Sequence, residues 1–395
     1  MQKITDPERE MAFPAPLRLA FRPLFLLASV FLIFATIYWL MLMSYQVSWY
    51  SPLPIYSWHS HEMIFGFIVP VILGFLLTAV QTWTQIPGIN GWKLALLISL
   101  WAVGRFSWLH PASPMVLLWL ADTLFIACSA LVLAKPILYR KQWHNLIFVP
   151  ILLAFIAVHS LMVWNLQQQT GLANQYARTG LWLVVLMVSL VGGRVIPFFT
   201  AKKLNIEQVK ESRGMTACII ISIAILLLSS LNAQLPPSIY LAGLTVFMLL
   251  QLWRNFRWYH KGIWSEPLLW SLHLCYSFIG LGAALMLYQN ISGHTDQNGL
   301  HLIALGGLAG LILAITSRVS LGHTGRELKA PNLMPLCFSL CLIAALLRAL
   351  IPIFWPAQTL LGWVMAGLCL IAAFTGFVIC YGPMLLKPRI DNRPG

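Results

Sequence analysis

Two imidazoles and a carboxylate, His59, His61 and Glu62, stand where an apolar run opens as Trp58-His59-Ser60-His61-Glu62-Met63 and continues to about Gln81. Polar groups in a segment bound for hydrocarbon are costly and need partners. Histidine is a common axial ligand of haem iron and a common copper ligand. The chemistry these residues could support is therefore haem or metal ligation. A third imidazole, His301, opens a later apolar run. One reading makes His61 and His301 the two axial ligands of a b-type haem. The other makes them interfacial histidines hydrogen-bonded to loops.

His59 lies two residues from His61, about 200° around a helix, so the two cannot easily share one metal. It shares a face with Met63 and is a candidate for a second site, with copper the natural ion. A hydrated histidine just outside the helix is the competing reading. His159 and His273 fall inside other apolar runs, either as ligands, with His159 a further copper candidate, or as polar glue between helices. Glu62 could hold the far nitrogen of a ligand imidazole. Arg105, Arg178 and Arg348 are basic residues in the outer halves of apolar runs, where haem propionates would suit a guanidinium. For Arg105 the alternative is an ion pair with Asp122, one helix on.

The elements that must position these residues are membrane helices. The chain has 395 residues, 59% of them hydrophobic and 9% charged, a balance that no soluble domain has. Apolar runs long enough to cross the ~30 Å hydrocarbon core predict twelve helices, at roughly 21–43, 59–81, 92–110, 113–135, 145–166, 178–200, 214–232, 236–253, 266–288, 299–320, 333–353 and 357–386. The expected fold is an all-α polytopic membrane protein: one transmembrane domain over 1–395, with short cytoplasmic segments at 1–20 and 387–395. The net charge of +14 does not signal nucleic acid, because the basic residues are scattered singly between apolar runs. With the N-terminus in the cytoplasm nearly all of them, from Lys3 and Arg9 to Arg389 and Arg393, fall on the inner side, so both termini are expected to be cytoplasmic. The seven cysteines form no C-x-x-C, which argues against a disulfide framework, a thiolate knuckle and thioether-bound haem.

Setting Thr84, Thr200 and Thr324 in register places His61 on His301, Gly66 on Gly306, Ile72 on Ile312 and Leu73 on Leu313. This suggests three four-helix units and puts His61 and His301 at the same depth. The middle unit has Ala177 there.

Several motifs together resemble the NnrS family over essentially the whole chain. They are Phe21-Arg22-Pro23, the Trp58 to Met63 opening, Gly74-Phe75-Leu76-Leu77-Thr78-Ala79, Gly104-Arg105, Gly192-Gly193-Arg194-Val195-Ile196-Pro197-Phe198-Phe199-Thr200, and Arg318 with Gly322-His323-Thr324-Gly325-Arg326. One departure is Val80-Gln81-Thr82-Trp83-Thr84, where the family usually reads Val-Pro-x-Trp-Thr. The resemblance implies a bacterial inner-membrane protein containing haem and copper, linked to nitric oxide metabolism and nitrosative-stress resistance. Its small-molecule partner would be nitric oxide or a related redox ligand. The second segment is also similar to the second helix of haem–copper oxidases, whose low-spin haem takes a histidine there and another from the tenth helix. His61 and His301 match that pattern. The sixth and seventh segments carry no histidine to build the copper site of those oxidases. Alternatives are a twelve-helix secondary transporter, whose sites favour broken helices near the midplane, and a nitric oxide reductase-like oxidoreductase, which would need a second metal centre.

Overall fold

A computed structural model describes residues 11–49, 54–109, 114–231, 235–391 and 393. Lys3 and Arg9, on which part of the charge argument rests, lie outside the described residues. The chain is helical at every expected segment, with no strand among the described residues. The helices are α1 Phe21–Met43, α2 Ile55–Thr84, α3 Gly91–Leu109, α4 Met115–Tyr139, α5 Trp143–Gln167, α6 Ala173–Leu204, α7 Arg213–Leu231, α8 Pro237–Trp258, α9 Pro267–Ile291, α10 Gln297–His323, α11 Met334–Phe354 and α12 Thr359–Leu386. Eleven of these are long and apolar enough to cross a membrane. The other is α3, whose Lys93 and Arg105 lower its hydropathy without preventing the helix.

Local chemistry sets the helix ends. Proline opens α8 and α9, at the position where a missing N–H costs nothing. Gln85, Lys141, Gln169 and Asn205 take left-handed backbone just past α2, α4, α5 and α6, and so stop them. Large apolar side chains such as Phe106 and Leu131 remain mostly exposed on the helix surfaces, as a lipid-facing exterior requires.

The chain forms two compact units. The first holds residues 1–183, 319–328 and 378–395; the second holds 184–318 and 329–377. In the first, α1 packs on α2, and α4 packs against α2, α3 and α5. Its interior is filled by Phe25, Trp58, Phe65, Phe67, Phe125 and Phe155, all buried. In the second, α8 packs on α7 and α9, and α10 packs on α9 and α11.

Two helices contain a π-helical stretch. In α2 it covers Glu62–Ile68 and begins directly after His61; in α10 it covers Leu302–Ala309 and begins directly after His301. The Val69 N–H bonds the Ile64 carbonyl and the Gly310 N–H bonds the Leu305 carbonyl, each five residues back. Pro70 has no N–H to give the Gly66 carbonyl. The Trp101 indole N–H from α3 bonds it instead, at 3.0 Å. The register drawn from Thr84, Thr200 and Thr324 thus gains a backbone counterpart at two of its three members. All three threonines are buried and bond the carbonyl four residues back.

The second unit has its own buried polar network. Arg254 bonds the Ser189 carbonyl at 2.7 Å and the Tyr276 hydroxyl at 2.9 Å, and pairs with Glu211. A Cβ on Gly193 would sit 1.6 Å from the Arg254 Nη2, so the guanidinium fits only because residue 193 is glycine. The Gly-Gly-Arg motif is explained there by packing.

Candidate metal centre

Five polar side chains meet inside the first unit. His61 and Glu62 come from α2, Arg105 from α3, Asp122 from α4 and His159 from α5. His61 and His159 are 0% exposed, Glu62 and Asp122 1%, and Arg105 6%. The Nε2 atoms of His61 and His159 face each other at 3.1 Å. Asp122 Oδ2 lies 3.5 Å from the first and 3.6 Å from the second. All three ligand atoms fall within 4.8 Å of one another.

These spacings can be compared with a bound ion. Metal–nitrogen bonds of about 2.0–2.1 Å at a near-tetrahedral angle hold two nitrogens about 3.3 Å apart. The observed triangle needs only small shifts to close on one ion. Two imidazoles and one carboxylate form a donor set used for first-row transition metals, including iron sites with open positions. The remaining contacts orient these donors. His61 Nδ1 lies 2.8 Å from Glu62 Oε1, which leaves Nε2 free to ligate. Arg105 Nη2 donates to Asp122 Oδ2 at 2.6 Å, and its Nε lies 2.9 Å from Glu62 Oε2 in ion-pair contact, off hydrogen-bond alignment. One guanidinium faces two carboxyl groups here, so the cluster holds no excess positive charge to oppose a cation.

Glycines make the approach possible. A Cβ on Gly104 would meet Asp122 Oδ1 at 2.5 Å, so α3 and α4 close on the site only with glycine there. A Cβ on Gly66 would meet Glu62 Oε2 at 2.6 Å and Phe31 at 2.5 Å.

The cluster fits an ion better than a macrocycle. The His61 ring is covered by Phe65, Trp108 and His159, with ring centroids at 5.0, 5.1 and 5.2 Å. Haem iron would have to approach His61 Nε2 in the plane of the ring, where His159 Nε2 already lies at 3.1 Å. Arg105 holds the pair with Asp122 that stood as the alternative to a propionate contact.

The other expected site residues have separate surroundings. His59 stacks on Trp39, with centroids 4.1 Å apart, away from the cluster. His273, in the second unit, meets the Thr200 hydroxyl at 2.9 Å through Nε2. His301, also in the second unit, has Nδ1 on the Gln297 carbonyl at 2.8 Å, while Arg348 lies 3.4 Å from its Nε2. Arg348 further bonds Asn298 at 3.2 Å and lies over the Trp363 ring at 4.5 Å. Arg178 sits half-buried in α6. The sequence marks Asp122 as an ion-pair partner of Arg105; its place beside two imidazoles depends on packing between α2, α4 and α5.

No curated protein matches the chain. Residues 15–389, nearly the whole length, match the family described as NnrS protein. The chain belongs to the NnrS family, membership that supports a membrane protein of the nitric oxide response and metal cofactors in general.

Proposed function

We propose that the protein binds one redox-active first-row metal ion, copper in the first instance, through His61, His159 and Asp122. We further propose that it presents this ion inside the bacterial inner membrane to nitric oxide or a related small redox ligand, as part of nitrosative-stress resistance. The single observation that carries this reading is the buried His61–His159–Asp122 triangle. When bound, the ion supplies a site for a small electron-accepting or electron-donating ligand. The protein's own residues do the rest. Glu62 fixes the His61 tautomer, and Arg105 holds both carboxylates in place against their mutual repulsion. The aromatic lid of Phe65 and Trp108 excludes water, so small uncharged ligands are favoured over hydrated ions.

Metal analysis of the purified protein tests this. Wild type should carry copper or iron in stoichiometric amount, and His159→Ala and Asp122→Asn should each lose most of it. Unchanged metal content in both variants would overturn the assignment.

Haem b gives a second reading, favoured by one observation: His301 carries a guanidinium, Arg348, beside its ring, a pairing suited to iron ligation with a nearby propionate. Iron ligation by His61 would need its Nε2 released from His159. Oxidised and reduced absorption spectra decide it. A haem signal lost in His301→Ala supports this reading, and metal without any haem band leaves the ion alone.

A further inference from the structure

The Phe21-Arg22-Pro23 and Gly322-His323-Thr324-Gly325-Arg326 motifs take no part in the metal centre, yet they meet in the first unit. Arg22 is 0% exposed. Its Nη1 donates to the carbonyls of Leu385 at 3.1 Å and Lys387 at 2.8 Å, and so caps the end of α12. Its Nε and Nη2 are buried with no hydrogen-bond partner. Those two atoms form one edge of the guanidinium, the edge that takes a carboxylate or phosphate in a two-pronged bond.

The surroundings are cationic. Arg18, Arg326 and Arg389 are the charges that act on Arg22, and all repel it. The segments are tied together: Arg389 donates to the His323 carbonyl at 2.9 Å, Arg326 to the Thr324 carbonyl at 3.4 Å, and the His323 ring lies 5.4 Å from Phe21. Asp391 is the acid in this web, and both its oxygens are held by Arg389, at 2.9 and 2.7 Å. Four guanidiniums against one carboxylate leave a formal excess of +3. A buried charge whose bidentate edge is empty and whose neighbours share its sign calls for an anion.

The geometry points to a phosphate-type oxyanion site in which Arg22 Nε and Nη2 grip two oxygens, supported by Arg18 and Arg326. The ligand is either the phosphodiester headgroup of an anionic lipid or free inorganic phosphate. Basic pockets between membrane helices recognise such headgroups. The site is independent of the metal centre and shares no residue with it.

The test compares wild type with Arg22→Lys, which keeps the charge but loses the planar edge. Arg326→Gln, at a partly exposed position, serves as a second variant that leaves the α12 cap intact. Each protein is purified in detergent, its bound phospholipid is extracted and counted, and its melting is followed with added inorganic phosphate and in nanodiscs of phosphatidylglycerol or phosphatidylcholine. Wild type should retain anionic lipid, or melt higher with phosphatidylglycerol than with phosphatidylcholine, if a headgroup occupies the site. Stabilisation by inorganic phosphate alone identifies the free ion. Either effect should shrink several-fold in Arg22→Lys and in part in Arg326→Gln. Wild type indifferent to both, or variants that respond as strongly as wild type, would overturn the site. Should Arg22→Lys fail to fold, the Arg326→Gln response alone decides.

Discussion

At the scale of single residues, the proposed metal centre depends on Arg105 sharing two carboxylates. Removing a partner from a buried ion pair costs about 3–5 kcal/mol, chiefly because the other charge is stranded. Arg105→Ala leaves Glu62 and Asp122 facing one another and should destabilise by that amount. Adding Asp122→Asn to Arg105→Ala removes the stranded charge and should recover part of the loss. Thermal unfolding of the two single variants and the double variant in detergent measures this; purely additive effects would show that the pair is not coupled. Much of this site was legible in the sequence. His61 and Glu62 are neighbours in the chain, and an acidic partner for a ligand imidazole could be read from that. His159 and Asp122 could be named as buried polar residues, but their meeting with His61 depends on which faces of α2, α4 and α5 turn inward. Strongly apolar helices show little amphipathic contrast, so the sequence does not mark those faces.

At the scale of elements, the π-helix of α2 sets where Glu62 points. Gly66→Ala places a methyl against Glu62 Oε2 and Phe31. Overpacking of this kind costs about 1–3 kcal/mol, and here it should also push Glu62 off His61 and lower the bound metal. Trp101→Phe differs in kind: it leaves the Gly66 carbonyl without a donor, a loss of about 1–3 kcal/mol, while the ligands stay in place. Melting and metal content measured together should separate the two, with metal falling in Gly66→Ala and held in Trp101→Phe. Equal metal loss in both would mean that the π-helix as a whole, and not the Glu62 contact, positions the ligand. The helices themselves were readable because twenty-odd apolar residues admit few other structures in a bilayer. The π stretches were not, since no composition or period distinguishes them from α-helix.

At the scale of the molecule, twelve crossings are expected to leave both ends of the chain on one side of the membrane, and the charge pattern predicts that this side is the cytoplasm. A reporter fused after Gly395 should be active only in its cytoplasmic form, and periplasmic activity would reverse the assignment. The even number stands only if α3 crosses, the helix outside the eleven candidate spans. It also carries Arg105 and Trp101, and the residues that lower its hydropathy include one that the proposed metal centre uses.

The two π-helices bear on how the chain arose. A π turn holds one residue more than an α turn, so an insertion of a single residue into an α-helix produces one. The same extra residue follows His61 and His301, whereas α6 runs from Ala173 to Leu204 as α-helix and, with that residue discounted, has Arg178 at the matching position. The simplest ancestry has the insertion entering one ancestral helix beside its histidine, before that helix was copied into α2 and α10. By that account α6 descends from a branch that never had the insertion. The histidine and its extra residue would then be inherited as one unit, and a related chain that lacks either should lack both.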